Sequence, residues 1–171
     1  MSKFLRLTAL AASVAVAFTA TEAAAAPVSA TTDATAKARI IRPLTLTSKQ
    51  NLDLGTIVLS GAAPYTATVG IDKTGAFSCD ANVTCSGTPT VAIYNVSGTK
   101  SQPVTIAAGP VTLNGSNGGT LTLTPDFNAT VNLTNSGAPG DDFNVGGSIT
   151  FADTVTDGVY TGTFAVTADY Q

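Results

Sequence analysis

The residues that could carry chemistry in this chain of 171 residues are two cysteines and four aspartates that lie within residues 141–157 of the sequence. The chain contains no histidine, which excludes the Ser-His-Asp and Cys-His arrangements of nucleophilic catalysis. The candidates for a paired-carboxylate glycosidase are Asp141, Asp142, Asp153 and Asp157, and those for a calcium site are Asp141, Asp142 and Asp157. Aspartate also favours turns and solvated loops, and this spacing matches no metal-binding loop. We therefore predict a protein that is not an enzyme and that uses no catalytic residue, metal or cofactor.

The two cysteines, Cys79 and Cys85, could form a disulfide or belong to a redox or metal site. Their spacing is not that of a Cys-X-X-Cys motif, and no histidine is present to complete a zinc shell. In an exported chain, two cysteines this close in sequence are expected to pair. We predict a local structural disulfide between them.

The N-terminus indicates that the chain is exported. Lys3 and Arg6 form a short basic segment, residues 7–20 carry no charge, and a run of alanines follows at 23–26. This order is typical of a cleaved signal peptide, and the uncharged run is shorter than the roughly 20 residues that a spanning helix needs. We predict a signal peptide over residues 1–25, a flexible tail over 26–33 and one domain over 34–171. The expected location is the periplasm, the cell surface or the extracellular space, without direct membrane insertion after cleavage.

The composition of the mature chain limits its partners. The signal segment carries Lys3, Arg6 and Glu22, so six basic and ten acidic residues remain, a formal charge of −4. This modest negative charge argues against nucleic acid and against electrostatic docking on anionic lipid. The full chain is 44% hydrophobic and only 11% charged, and with its many Thr and Val residues it is typical of extracellular β proteins.

Short runs of alternating apolar and polar residues, separated by Gly- and Pro-containing turns, predict many β-strands. One run places Ala34, Ala36, Ala38 and Ile40 on one face, and another spans residues 143–151. No segment after the signal shows the helical spacing of apolar residues over three turns. This pattern favours an all-β, immunoglobulin-like β-sandwich.

The last residues of the chain predict a terminal strand that holds the C-terminus in a sheet. Apolar residues and one glycine share its inner face, and Thr and Asp dominate the other, as the two-residue period of a strand requires. The predicted inner face consists of Tyr160, Gly162, Phe164, Val166, Ala168 and Tyr170.

Two pairs of signatures resemble a known family. The first is AKARIIRPL at residues 36–44 followed by LDLGTI at 52–57, and the second is FNVGGSI at 143–149 followed by GVYTGTFAVTADY at 158–170. They are similar to a secreted bacterial family known as domain of unknown function 4402, and the resemblance extends from about Ala34 to the end. That family resembles the chaperone–usher pilins and the spore-coat-U type secreted pilins.

The pilin resemblance implies a sandwich that lacks its last strand, so that the N-terminal extension of a neighbouring subunit fills a groove. Ala34, Ala36, Ala38 and Ile40 would then belong to a donor strand; alternatively, they form the first strand of a self-contained sandwich. We expect a non-enzymatic, pilin-like subunit of a surface fibre that self-associates or binds a periplasmic chaperone. The alternative is a secreted adhesive module that binds a carbohydrate or protein. A sugar-binding face usually needs exposed aromatic residues, and the chain contains no Trp.

Overall fold

The computed structural model describes residues 27–29 and 31–171, so the predicted signal peptide over 1–25 lies outside the described residues. All strands lie in a compact unit, Arg39–Gln171. The described residues form no helix, so they contain no helix that could cross a membrane. The prediction of an all-β fold is confirmed.

The described part of the chain contains thirteen strands. In order they are β1 (Thr45–Gln50), β2 (Thr56–Leu59), β3 (Thr66–Ile71), β4 (Phe77–Cys79), β5 (Val83–Ser86), β6 (Ala92–Ser97), β7 (Pro103–Ala108), β8 (Val111–Gly115), β9 (Thr120–Phe127), β10 (Thr130–Asn132), β11 (Asp141–Ala152), β12 (Tyr160–Thr161) and β13 (Val166–Tyr170).

The largest sheet is organised around β11, the longest strand. The first half of β11 pairs with β6 and its second half pairs with β3, while β9 pairs along the opposite side. The path β1-β6-β11-β9-β8-β12 runs across this sheet, and β4 is added beside β3. Apolar residues alternate along β11 as the sequence predicts, and Phe143, Val145, Ile149 and Phe151 are buried.

Two smaller sheets complete the fold as a β-sandwich. One has the order β10-β7-β13, and the other pairs β2 with β5. The core consists of two clusters of buried apolar side chains. One includes Val69, Leu123 and Ile149; the other includes Val104 and Ile106 of β7. The sandwich therefore follows from two-residue alternation, which directs one face of each strand inward.

The predicted terminal strand is interrupted in the structure. Tyr160–Thr161 pairs with β8 in the large sheet, whereas Val166–Tyr170 pairs with β7 in the three-stranded sheet. The segment between them crosses from one sheet to the other. A Cβ at Gly162 would lie 2.6 Å from the carbonyl oxygen of Thr112, so only glycine fits this crossing. The prediction of one continuous strand is wrong, but the C-terminus is held in a sheet.

The stretch with Ala34, Ala36, Ala38 and Ile40 forms no strand, and all four residues are exposed. The first strand of the described structure begins at Thr45. The alternative in which this stretch is the first strand of its own sandwich is corrected accordingly, because its backbone has no sheet partner among the described residues. Donation of the stretch to another molecule stays a prediction.

Candidate binding groove

An apolar groove of about 980 Å³ opens between two chain segments of the sandwich. The first wall is residues 50–59, which follow β1 and include β2. The second wall is residues 155–164, which include β12 and the crossing to β13. The floor is the large sheet, from which Leu113, Leu121, Leu123, Ile149 and Phe151 reach the groove. Of these floor residues, Leu123, Ile149 and Phe151 are buried, whereas Leu113 and Leu121 are half-buried.

The apolar side chains of the two walls are incompletely buried. Leu52, Leu54 and Ile57 of the first wall, with Val155 and Phe164 of the second, pack against the core but remain partly accessible. At the rim, Val58 is 52% exposed, Leu59 is 42% exposed and Val159 is 68% exposed. A contiguous apolar surface of this kind on a protein commonly marks an interaction site.

The strands of both walls have an open edge within the described part of the chain. β2 pairs only with β5, and β12 pairs only with β8. The crossing segment, residues 162–165, pairs with no strand. Unpaired backbone N–H and C=O groups at a strand edge are a template for another strand. The groove therefore combines an apolar floor with backbone groups able to pair.

An aromatic cluster lies where the groove passes from the large sheet to the crossing segment. The rings of Tyr94 and Phe143 stack with centroids 5.7 Å apart, and the ring of Phe164 lies 6.3 Å from Tyr94. Burial raises the pKa of Tyr94 above its ordinary value. Phe164 packs on both halves of the core and also lines the groove, so it joins the second wall to the interior.

Tyr170 joins β13 to the chain that precedes β1 and to the loop that follows β6. The Tyr170 hydroxyl donates a hydrogen bond to the carbonyl oxygen of Arg42 at 2.8 Å and accepts one from the backbone N–H of Thr99 at 2.6 Å. The Arg42 N–H donates to Thr99 Oγ1 at 2.7 Å. These bonds fix the point at which the chain preceding β1 enters the sandwich, beside the C-terminal end of β13.

The residues predicted for the inner face of the terminal strand differ in burial from those between them, apart from Gly162. Tyr160, Phe164, Val166, Ala168 and Tyr170 are all half-buried, whereas Gly162 and the residues between them are exposed. The aromatic residues considered for sugar stacking, Tyr65, Tyr94 and Tyr160, are likewise half-buried.

The candidate aspartates do not form a common site. Asp141 accepts hydrogen bonds from the N–H and hydroxyl of Thr134, and Asp142 forms an ion pair with Lys49 at 2.7 Å. Asp157 lies near Asn117 instead. Within the described residues, no three His, Cys, Asp or Glu side chains are grouped closely enough to hold a metal ion.

The predicted disulfide is confirmed. Cys79 and Cys85 are bonded, with their Cα atoms 6.2 Å apart, and join β4 to β5. The bond lies outside the groove and joins a strand of the large sheet to a strand of the two-stranded sheet.

The pilin resemblance implied a groove, but reasoning from sequence did not identify the residues that form it. The alternation of Leu52 and Leu54 around Asp53 and the apolar inner face of the terminal residues were both visible, but nothing indicated that these two segments face each other. Only the sheet pairing brings them together.

Comparison with known proteins gave one match. A family model described as Domain of unknown function (DUF4402) matches residues 44–170. No curated protein and no solved structure matched the chain. The matched range includes both walls of the groove and every strand.

Proposed function

From the premise that this chain belongs to the domain of unknown function family DUF4402, we propose that it is a structural subunit of a surface fibre, joined by β-strand addition. The acceptor is the groove between residues 50–59 and 155–164. The donor is the stretch over residues 34–40 of a second copy. The protein performs no catalysis in this role.

The observation that carries the proposal is the groove, whose apolar floor is half-buried at Leu113 and Leu121 and whose walls have open strand edges among the described residues. A strand inserted there would pair its backbone with a wall and place alternate side chains on the floor, which is the general mode of recognition by strand addition. An extended stretch of seven residues spans about 23 Å, long enough to follow several residues of either wall.

The donor stretch has the properties that such an insertion needs. Ala34, Ala36, Ala38 and Ile40 lie on one face of an extended chain, and Ile40 is 92% exposed. Because this stretch has no strand partner among the described residues, its insertion would not require breaking a sheet. Alanine adds little apolar area, so we expect Ile40 and the backbone hydrogen bonds to supply much of the affinity.

Export of the chain fits the proposal. A disulfide forms and persists in oxidising compartments such as the periplasm and the cell surface, and the chain has one between Cys79 and Cys85. We propose that the mature chain begins near residue 26 and assembles after export, either by itself or with a periplasmic chaperone that covers the groove.

The test compares mature protein beginning at residue 26 with a form beginning at residue 42, by size-exclusion chromatography with light scattering. We expect the longer form to build ladders of oligomers as its concentration rises, and the shorter form to stay monomeric. The shorter form keeps every strand of the compact unit, so circular dichroism should show the same β content in both.

A matched pair of substitutions separates strand insertion from a general effect of the N-terminus. Ala36→Asn places an amide on the face directed to the groove floor, where it lacks partners, and should weaken assembly about tenfold or more. Thr35→Asn makes a similar change on the opposite face and should leave assembly nearly unchanged. A longer form that stays monomeric at every concentration would contradict the fibre proposal and favour an adhesive module.

A further inference from the structure

The charged residues that line the groove are both acidic. Asp53 belongs to the first wall and Asp157 to the second, and no Lys or Arg lines the groove among the described residues. Both side chains are exposed at the rim. Asp53 Oδ1 accepts the N–H of Gly55 at 2.8 Å, and Asp157 Oδ2 accepts an N–H of Asn117 at 3.3 Å. In each carboxylate the other oxygen has no partner among the described residues.

The proposed donor stretch has the opposite charge on its outer face. Lys37 and Arg39 alternate with Ala36, Ala38 and Ile40. Because Lys37 and Arg39 are two positions apart, an extended chain places them on the same side, about 7 Å apart and opposite the apolar face. Both cations belong to exposed residues, and among the described residues Arg39 contacts only the side chain of the half-buried Gln102. Breaking that contact to form an intermolecular pair would therefore cost little.

The charges of the described chain are thus distributed unevenly. Three of the six basic residues outside the predicted signal peptide are Lys37, Arg39 and Arg42, all within or next to the donor stretch. Two more, Lys49 and Lys73, form ion pairs with Asp142 and Asp126 elsewhere on the sandwich.

We infer that the groove selects its strand by charge as well as by shape, taking a strand whose outer face carries two basic residues two positions apart. The inference rests on the proposed fibre function, and the partner is the donor stretch of a second copy. With Ala36, Ala38 and Ile40 on the floor, Lys37 and Arg39 point outward to Asp53 and Asp157. Their aliphatic stems can lie over the apolar rim while the charged heads reach the carboxylates.

Ion pairs at an exposed rim add little affinity each, so their main effect is on the direction and register of insertion. A strand shifted by one residue would direct Lys37 and Arg39 onto the apolar floor, where an unpaired charge is costly. A strand of similar shape with acidic residues at these positions would meet two carboxylates and be rejected.

The test uses mature protein beginning at residue 26 and charge reversal on each side of the contact. One variant carries Asp53→Lys with Asp157→Lys, a second carries Lys37→Asp with Arg39→Asp, and a third carries all four changes. The first two should each weaken the assembly constant about tenfold or more at 0.01 M salt, where the Debye length is about 30 Å. The third should recover to within about threefold of the unmodified protein.

The control is Asp169→Lys, which reverses an exposed charge on β13 outside the groove and should leave assembly unchanged. At 1 M salt, where the Debye length is about 3 Å, the differences between variants should largely disappear. If the unmodified protein assembles and the two reversed variants assemble equally well, the charge inference is overturned while the fibre proposal stands. If the unmodified protein does not assemble at all, both fail.

Discussion

At the scale of single residues, Tyr170 connects segments of the chain that are far apart in sequence. Its hydroxyl joins the last strand to Arg42 and Thr99, which are distant in sequence. Gly98 makes room for it, because a Cβ at that position would collide with the hydroxyl. The pair of Tyr170 and Gly98 therefore fixes where the N-terminal stretch leaves the sandwich.

We expect Tyr170→Phe to lower the free energy of unfolding by about 1–2 kcal/mol, because it removes both hydrogen bonds of the hydroxyl and leaves the partly buried Thr99 N–H without its acceptor. Urea denaturation followed by circular dichroism measures this. The matched control is Tyr160→Phe, which removes a single exposed bond to the carbonyl of Thr156 and should cost less. Equal losses in the two variants would contradict a special role for Tyr170.

At the scale of elements, β4 and β5 are connected by a short turn and by the disulfide, while β4 pairs with β3 and β5 pairs with β2. Asp80 accepts a hydrogen bond from the backbone N–H of Asn82, and the N–H of Val83 donates to the Asp80 carbonyl. The disulfide closes a short loop, so the entropy that it removes from the unfolded chain is small. The pairing of β4 with β3 and that of β5 with β2 should therefore persist without the bond.

We expect Cys79→Ser with Cys85→Ser to reduce the free energy of unfolding by about 2 kcal/mol without loss of the fold. Thermal and urea unfolding measure the loss. Reducing agent should lower the stability of the unmodified protein to the same extent and leave the double variant unaffected. Complete unfolding of the double variant would show that the fold depends on the link that the disulfide makes between the two sheets.

At the scale of the whole molecule, stability depends on acid through carboxylates whose charged form the fold favours. The Thr74 hydroxyl, followed by the Ala76 N–H, lowers the pKa of Asp72. Lys49, followed by Asn95, lowers the pKa of Asp142. A pKa lower in the folded than in the unfolded state gives stability that is present above the unfolded value, about 4, and is lost as pH falls through the folded value.

We therefore expect the free energy of unfolding to fall as the pH is lowered below about 4. In a variant with Asp72→Asn and Asp142→Asn this acid-dependent fall should be smaller, although the variant is less stable at neutral pH. Urea denaturation at several pH values from 7 to 2.5 measures both. Asp169→Asn controls for the loss of one negative charge, and the same pH dependence in all three proteins would contradict the expectation.

Much of the fold was predictable because it depends on local pattern. The alternation along residues 143–151 became β11, and the face shared by Tyr160, Phe164, Val166 and Tyr170 turned inward. The break after Thr161 could not be predicted, because it depends on the contact of Gly162 with a carbonyl on β8, a strand about fifty residues earlier. Periodicity reports which face is buried but not which sheet a strand joins.

The sequence alone determined an all-β chain, a local disulfide and the absence of any histidine-based chemistry, since these follow from residue types and short-range spacing. The tertiary structure decided the rest. It placed residues 50–59 opposite 155–164, left a groove between them over the large sheet and gave residues 34–40 no strand partner within the described chain. The reason is physical: strand pairing joins residues far apart in sequence, and a groove exists only where two such pairings leave a space.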